Sequence, residues 1–209
     1  MTGRGAAAGT LGRIVRHEAR ALRSLALWAA RRTHGVGADG QAFGYARGQA
    51  AMVYGIAFAC LVETVGISCL LRDLPVAHAV MLVLDVYTLL TILALQSAAV
   101  THPHVLTGRS LRIRRGVTVD LLVPLADVTA VRRELRTSPD RWPGELTLDI
   151  GALTNVTVEL AVPVTRTTLL GRTERITTIR LYAEDPDALA RELRSRQAAG
   201  RADGDTVAR

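Results

Sequence analysis

The sequence contains no lysine. All 26 of its basic residues are arginine. Set beside the abundance of alanine, leucine, valine and glycine, this bias is better explained by a GC-rich bacterial genome than by arginine-specific chemistry. It does exclude a phosphate-binding loop of the usual kind, which needs a lysine after its glycines. Cysteine is nearly as scarce. Cys60 and Cys69 are the only two, and nine residues of one apolar helix separate them, too far along the axis to bridge. Neither a disulfide framework nor a zinc spacing can be drawn from them. A nucleophile elbow, a paired-histidine metal motif and a dinucleotide fingerprint are missing too. The expectation is therefore no catalytic residue, no cofactor, no metal and no enzyme activity. His102 and His104, alternating around Pro103, project to one side if extended, but no cysteine or carboxylate stands beside them in sequence.

Acidic residues are few before position 48. Eight arginines precede that point against Glu18 and Asp39, whereas the later part of the chain is closer to balance. The overall formal charge of +7 is thus concentrated toward one end.

What the chain has in excess is apolar length. Gln49 to Leu71 and Leu74 to Val100 form two runs separated by little more than Arg72 and Asp73, with Pro75 just past the turn. Each exceeds the roughly 20 residues that span about 30 Å of hydrocarbon, which predicts a transmembrane helical hairpin over 48–101. Arginines flank its open ends, at Arg31, Arg32 and Arg47 on one side and Arg109, Arg112, Arg114 and Arg115 on the other, against Arg72 alone at the turn. The positive-inside bias then places both termini in the cytoplasm of a cell with an inner membrane. No compact apolar segment with a small-residue cleavage site occurs before Gly35, so no signal-peptide cleavage is expected.

Within the spans, Glu63 and Asp85 count to similar depths, ten residues back and twelve forward from Asp73. One reading is a carboxyl pair sharing a proton or cation. The other is a set of interhelical hydrogen bonds with Thr64, Ser68, Thr88 and Thr91, within one hairpin or across a homo-oligomer. His78, a turn from the outer end, has no assigned part.

Thr10 to Thr33 has helical periodicity, with Leu11, Val15, Leu22, Ala26 and Ala29 on one face and Arg13, Arg16, Arg20 and Arg23 on another. Such a helix either lies on anionic headgroups with Trp28 at their level or packs on the soluble domain. Residues 34–48, rich in glycine, read as a joint without rigid preference, so that 1–47 is helix plus joint.

After Thr101 the periodicity becomes alternating. Strand-like runs cover His104–Arg115, Val117–Val123, Val128–Arg136, Glu145–Ile150, Asn155–Leu160, Val164–Leu169 and Arg175–Tyr182, with a turn expected at Arg115-Gly116. Asp120, Asp127 and Asp149 alternate with apolar neighbours as on solvated strand faces. Asp185-Pro186-Asp187 is a helix start, and the helix is expected to end near Arg196 before a polar, disordered tail at 198–209.

Seven strands and a closing helix over 102–197 suggest a partly open antiparallel barrel plugged at one end. The segment THPHVLTGRSLRIRRGVTVDLLVPLADVTAVRREL resembles the opening of bacterial pleckstrin-homology-like domains that follow paired membrane spans. That resemblance implies a PH-like barrel on the cytoplasmic face, a binding or scaffolding role, and no catalytic residues. The expected partners are the bilayer, anionic headgroups along the Arg13–Arg23 face, and a segment of another protein; no nucleic acid is expected. The competing class is a small transport component built by oligomerising hairpins around Glu63 and Asp85.

Overall fold

The computed structural model describes residues 19–20, 23–137, 142–168 and 171–207, with 200–207 described by backbone alone. Helical backbone covers 19–20 and 23–29, and Arg13 and Arg16 of the expected amphipathic helix lie outside the described residues.

Two long helices, α1 (Arg47–Leu70) and α2 (Pro75–Thr101), form the hairpin. At about 1.5 Å per residue they are roughly 36 and 40 Å long, enough to cross a bilayer. Pro75 opens α2 at a position where a missing N–H costs nothing. In each helix the most apolar 18-residue window is 0% buried inside the protein, which separates these helices from the core helices of a soluble fold. Phe58, Val65, Val76 and Val83 all point outward. Apart from Ala57 on α1, the buried residues of the hairpin lie at the base of α2, at Ala94 and from Gln96 to Ala99 and Thr101, where the hairpin meets the rest of the protein.

The remaining strands form two four-stranded sheets. One has the order β1 (Gln41–Phe43), β2 (His104–Leu106), β3 (Ser110–Arg115), β4 (Val119–Pro124) and is antiparallel throughout. A 3-10 turn at Leu125–Asp127 leads into the second, whose order is β5 (Val128–Thr137), β7 (Leu153–Thr167), β8 (Thr173–Leu181), β6 (Glu145–Leu148). Strand β4 alternates strictly, with Val119, Leu121 and Val123 inward. The inner faces of both sheets share one core that includes Ile113, Val123, Val158, Ile179 and Leu181. Helix α3 (Pro186–Val207) seals it with Leu189 and Leu193, and its start is capped by Asp185, whose Oδ1 accepts from the Ala188 N–H at 2.8 Å.

Several expectations are corrected. The strands pair as two separate sheets, and no closed barrel forms by hydrogen bonding among the described residues. Among the described residues there are eight strands, because the glycine-rich joint contributes β1 and the run from His104 is a hairpin. The sheet is not purely antiparallel: β6 runs parallel to β8. The two runs on either side of Pro163 are one strand, β7, whose ladder to β8 shifts register between Glu159 and Val164 and so accommodates the missing N–H. Helix α3 continues to Val207, through most of the tail expected to be disordered, even though Gly200 and Gly204 within it are poor helix formers.

The joint is packed rather than loose. Since β1 pairs with β2 across the whole hairpin insertion, both open ends of the hairpin are tied to one sheet. Strand β1, within the segment read as helix plus joint, therefore belongs to the β domain. The expected turn at Arg115-Gly116 is present, with Gly116 at φ +51° and Arg115 paired to Val119.

Candidate membrane-proximal site

The base of the hairpin is fastened to the β domain by a few buried groups. Tyr45, just before α1, is 2% exposed and its hydroxyl accepts the Gly116 N–H. Burial pushes the phenol up to about 12, against the opposing effect of that hydrogen bond. Its ring lies 4.9 Å from that of His104. His104 is buried, accepts the Arg114 N–H on Nδ1 at 3.1 Å, and donates from Nε2 toward the Tyr182 carbonyl at 3.3 Å. Burial brings its pKa down to about 4, so the ring is neutral at physiological pH. Nearby, Ala46, Ala99 and Ile150 form a small apolar cluster with Tyr45, and Gln49 donates to Gln96 between the helices at 3.0 Å. The Arg47 N–H donates to Glu184 at 3.0 Å, and the Glu184 N–H to the Gly44 carbonyl at 2.8 Å.

Arg114 is the unexpected member. Strand alternation puts it on the outer face of β3 with Arg112, yet it is buried because residues from His34 onward cover that face. Its Nη1 donates to the His34 carbonyl at 2.7 Å, and the His34 N–H donates to the Thr101 carbonyl at 2.8 Å. Gly35, at φ +67°, is required here: a Cβ would stand 2.6 Å from Arg114 Nη2. Burial lowers the Arg114 pKa, and the neighbouring Arg112 charge lowers it further. Asp120 is held in a fork by Arg112, with both oxygens at 2.6 Å. Partial burial works to raise its pKa, but the Arg112 fork outweighs this and leaves the carboxyl below its ordinary value.

A recess of about 240 Å³ opens beside Arg114, lined also by Arg20, Arg23, His34, His102 and Asp120. The structure thus brings Arg20 and Arg23 to the site, on exposed positions of the N-terminal helix. His102 and His104 are not neighbours in function. The ring of His102 stacks obliquely on His34 at 5.3 Å, while His104 faces the core, and no group of three metal-ligating side chains occurs among the described residues.

Glu63 and Asp85 are placed differently from each other. Glu63 is exposed on the outer surface of α1, and Asp85 is half-buried on α2. Among the described residues no hydrogen bond or ion pair joins them, and Asp85 Oδ2 is buried without a partner. Thr64, Thr88 and Thr91 hydrogen-bond to carbonyls one turn back in their own helices rather than across the hairpin.

A second concavity, of about 740 Å³, runs along β6 between the β3–β4 turn and the tip of the β7–β8 hairpin. Among the described residues strand β6 pairs with β8 alone, and its other edge borders this groove. Thr118, Trp142, Thr147 and Arg175 are among its walls. At the opposite edge of this sheet, Arg194 and Gln197 of α3 donate to the Val131 and Val128 carbonyls and so cover the first part of β5.

Compared with known proteins, the chain matches no family model, no curated protein and no solved structure.

Proposed function

We propose that this protein is a membrane-anchored, non-enzymatic interaction module of a bacterial inner membrane. In this reading the hairpin spans the bilayer, both termini and the PH-like β domain lie on the cytoplasmic side, and the domain holds an extended segment of a partner protein. The observation that carries it is the groove along β6, where a strand edge unpaired among the described residues stands at the seam between two sheets on a domain fixed to the hairpin base. An extended segment would gain main-chain hydrogen bonds from that edge and side-chain selectivity from the groove walls. Blocking of the first part of the β5 edge by α3 leaves β6 the better acceptor.

The test uses a photo-crosslinking amino acid at Trp142, at Thr147 and, as control, at the exposed Leu135 of β5, in the full chain in its native membrane. A discrete adduct from the two groove positions, absent at Leu135 and lost when Thr118→Trp fills the groove, supports the reading. Equal adducts at all three positions, or adducts indifferent to Thr118→Trp, would overturn it.

One observation favours the transport reading as an alternative. The buried, unpartnered Asp85 Oδ2 and the outward-facing Glu63 are both groups that a second hairpin could satisfy.

A further inference from the structure

The recess beside Arg114 has more positive charge than its neighbours compensate. Arg114 is 2% exposed, and its one described hydrogen bond from the guanidinium goes to a carbonyl, that of His34. Its Nε is buried without a hydrogen-bond partner. That Nε forms a 3.6 Å ion pair with Asp120 Oδ1, too long for a hydrogen bond and to an oxygen that Arg112 already holds at 2.6 Å. A buried guanidinium so incompletely paired is costly unless an anion completes its shell. Arg20 and Arg23 line the same recess from the N-terminal helix, making three arginines against one committed aspartate.

Position and size narrow the occupant. His102 directly follows the last residue of α2, and the His34 N–H is bonded to the Thr101 carbonyl; on the proposed spanning topology, with about 20 residues from Pro75 crossing the hydrocarbon, the recess lies roughly 10 Å beyond it, at headgroup depth. Its 240 Å³ lies below the range of about 300–1,000 Å³ usual for cofactor and drug-sized ligands. Leu27 and Val117 supply an apolar flank beside the charges.

We propose that this recess binds a phosphate-bearing anion, and that its occupant is the headgroup phosphate of an anionic phospholipid. The guanidinium of Arg114 forms the fixed floor, and Arg20 and Arg23 close over the phosphate from the bilayer side. Such a lipid would tie the N-terminal helix to the β domain through Arg20 and Arg23. This inference is independent of the groove along β6.

The chain reports on the site itself, because Trp28 adjoins Leu27 and the only other tryptophan is Trp142. The full chain carrying Trp142→Phe is placed in nanodiscs of neutral phosphatidylcholine with increasing brominated phosphatidylglycerol or brominated phosphatidylcholine. Trp28 quenching is read against mole fraction. Saturation at a mole fraction at least several-fold lower for the anionic lipid is expected. Arg20→Gln with Arg23→Gln should remove most of that preference, each arginine near the surface counting for about a fivefold factor. Arg114→Gln should abolish the preference, and Asp120→Asn, which removes the competing carboxylate at an exposed position, should strengthen it several-fold. Thermal unfolding of each variant checks that the domain is intact. If the Arg114 variant folds and keeps its preference while the double variant loses it, the attraction is diffuse surface charge and the site is refuted. If Asp120→Asn leaves the preference unchanged, the site is refuted as well. Displacement of the brominated lipid by millimolar inorganic phosphate would assign the recess to free phosphate and overturn the headgroup assignment.

Discussion

Lowering the pH should destabilise the β domain through His104, and the size of the effect follows from its surroundings. The ring is buried, and its two nitrogens are committed to the Arg114 N–H and the Tyr182 carbonyl. Protonating Nδ1 would break the first of these, bury a charge, and set that charge near Arg114. The folded pKa of about 4 lies below the ordinary 6.5 of the unfolded chain. Protons therefore bind the unfolded state preferentially between these values, so stability is full above pH 6.5 and declines as pH falls toward 4. The whole gap corresponds to about 3 kcal/mol, and the part between pH 7.5 and 5.5 to roughly 1.3 kcal/mol, a window that avoids most carboxylate titration. His102, whose pKa burial also lowers, adds a loss of the same sign. Urea unfolding of the full chain in mild detergent, followed by Trp142 emission at the two pH values, measures the loss. His104→Gln supplies the control, since its amide oxygen can accept the Arg114 N–H and its amide nitrogen can donate to Tyr182. The variant should lose about 1.3 kcal/mol less than the wild type over this window. Equal losses in the two proteins would refute the assignment to His104.

Three further outcomes are expected. Tyr45→Phe keeps the ring on His104 but strips the Gly116 N–H of its acceptor, and should cost about 1–3 kcal/mol in the same unfolding assay. Ala152, at φ +63° in the two-residue turn between Ile150 and Leu153, is held in a left-handed conformation that L-residues resist; Ala152→Gly should stabilise the domain by about 0.5–1 kcal/mol, read as a shift in midpoint without a change in slope. If Glu63 and Asp85 are structural, Glu63→Gln with Asp85→Asn should insert, retain the oligomeric state in mild detergent and leave cells behaving as wild type. Normal assembly with loss of a proton flux in liposomes would instead favour transport.

The hairpin was legible because two long apolar runs on either side of a short charged turn favour a pair of long antiparallel helices. The β region was legible in its alternation, and the turn at Gly116 and the helix start at Asp185 in their chemistry. Strand β1 was not. Gln41-Ala42-Phe43 is too short to show a period, and its partner His104–Leu106 lies on the far side of the hairpin, so only tertiary pairing defines it. The barrel expectation failed on pairing, which alternation does not encode: the same inward pattern serves a closed barrel and two facing sheets. Arg114 was read as a flanking charge because β3 places Leu111 and Ile113 inward and the arginines outward. Its burial depends on the segment after His34 folding over that face. The signal available in sequence was Gly35, whose lack of a side chain makes room for the guanidinium. Similarly, the His102-Pro103-His104 alternation suggested a shared direction, but the helix ends between them and the rings part.

The central claim is that the hairpin crosses the membrane and holds the β domain on the cytoplasmic side. Site-directed thiol labelling in intact cells tests it most directly. With Cys60 and Cys69 replaced by alanine, single cysteines at Asp73, in the turn between α1 and α2, and at the exposed Thr129 of β5 are treated with a membrane-impermeant reagent. The account predicts that Asp73→Cys is labelled in intact cells and Thr129→Cys only after lysis. Labelling of Thr129→Cys in intact cells, with Asp73→Cys protected until lysis, would contradict it.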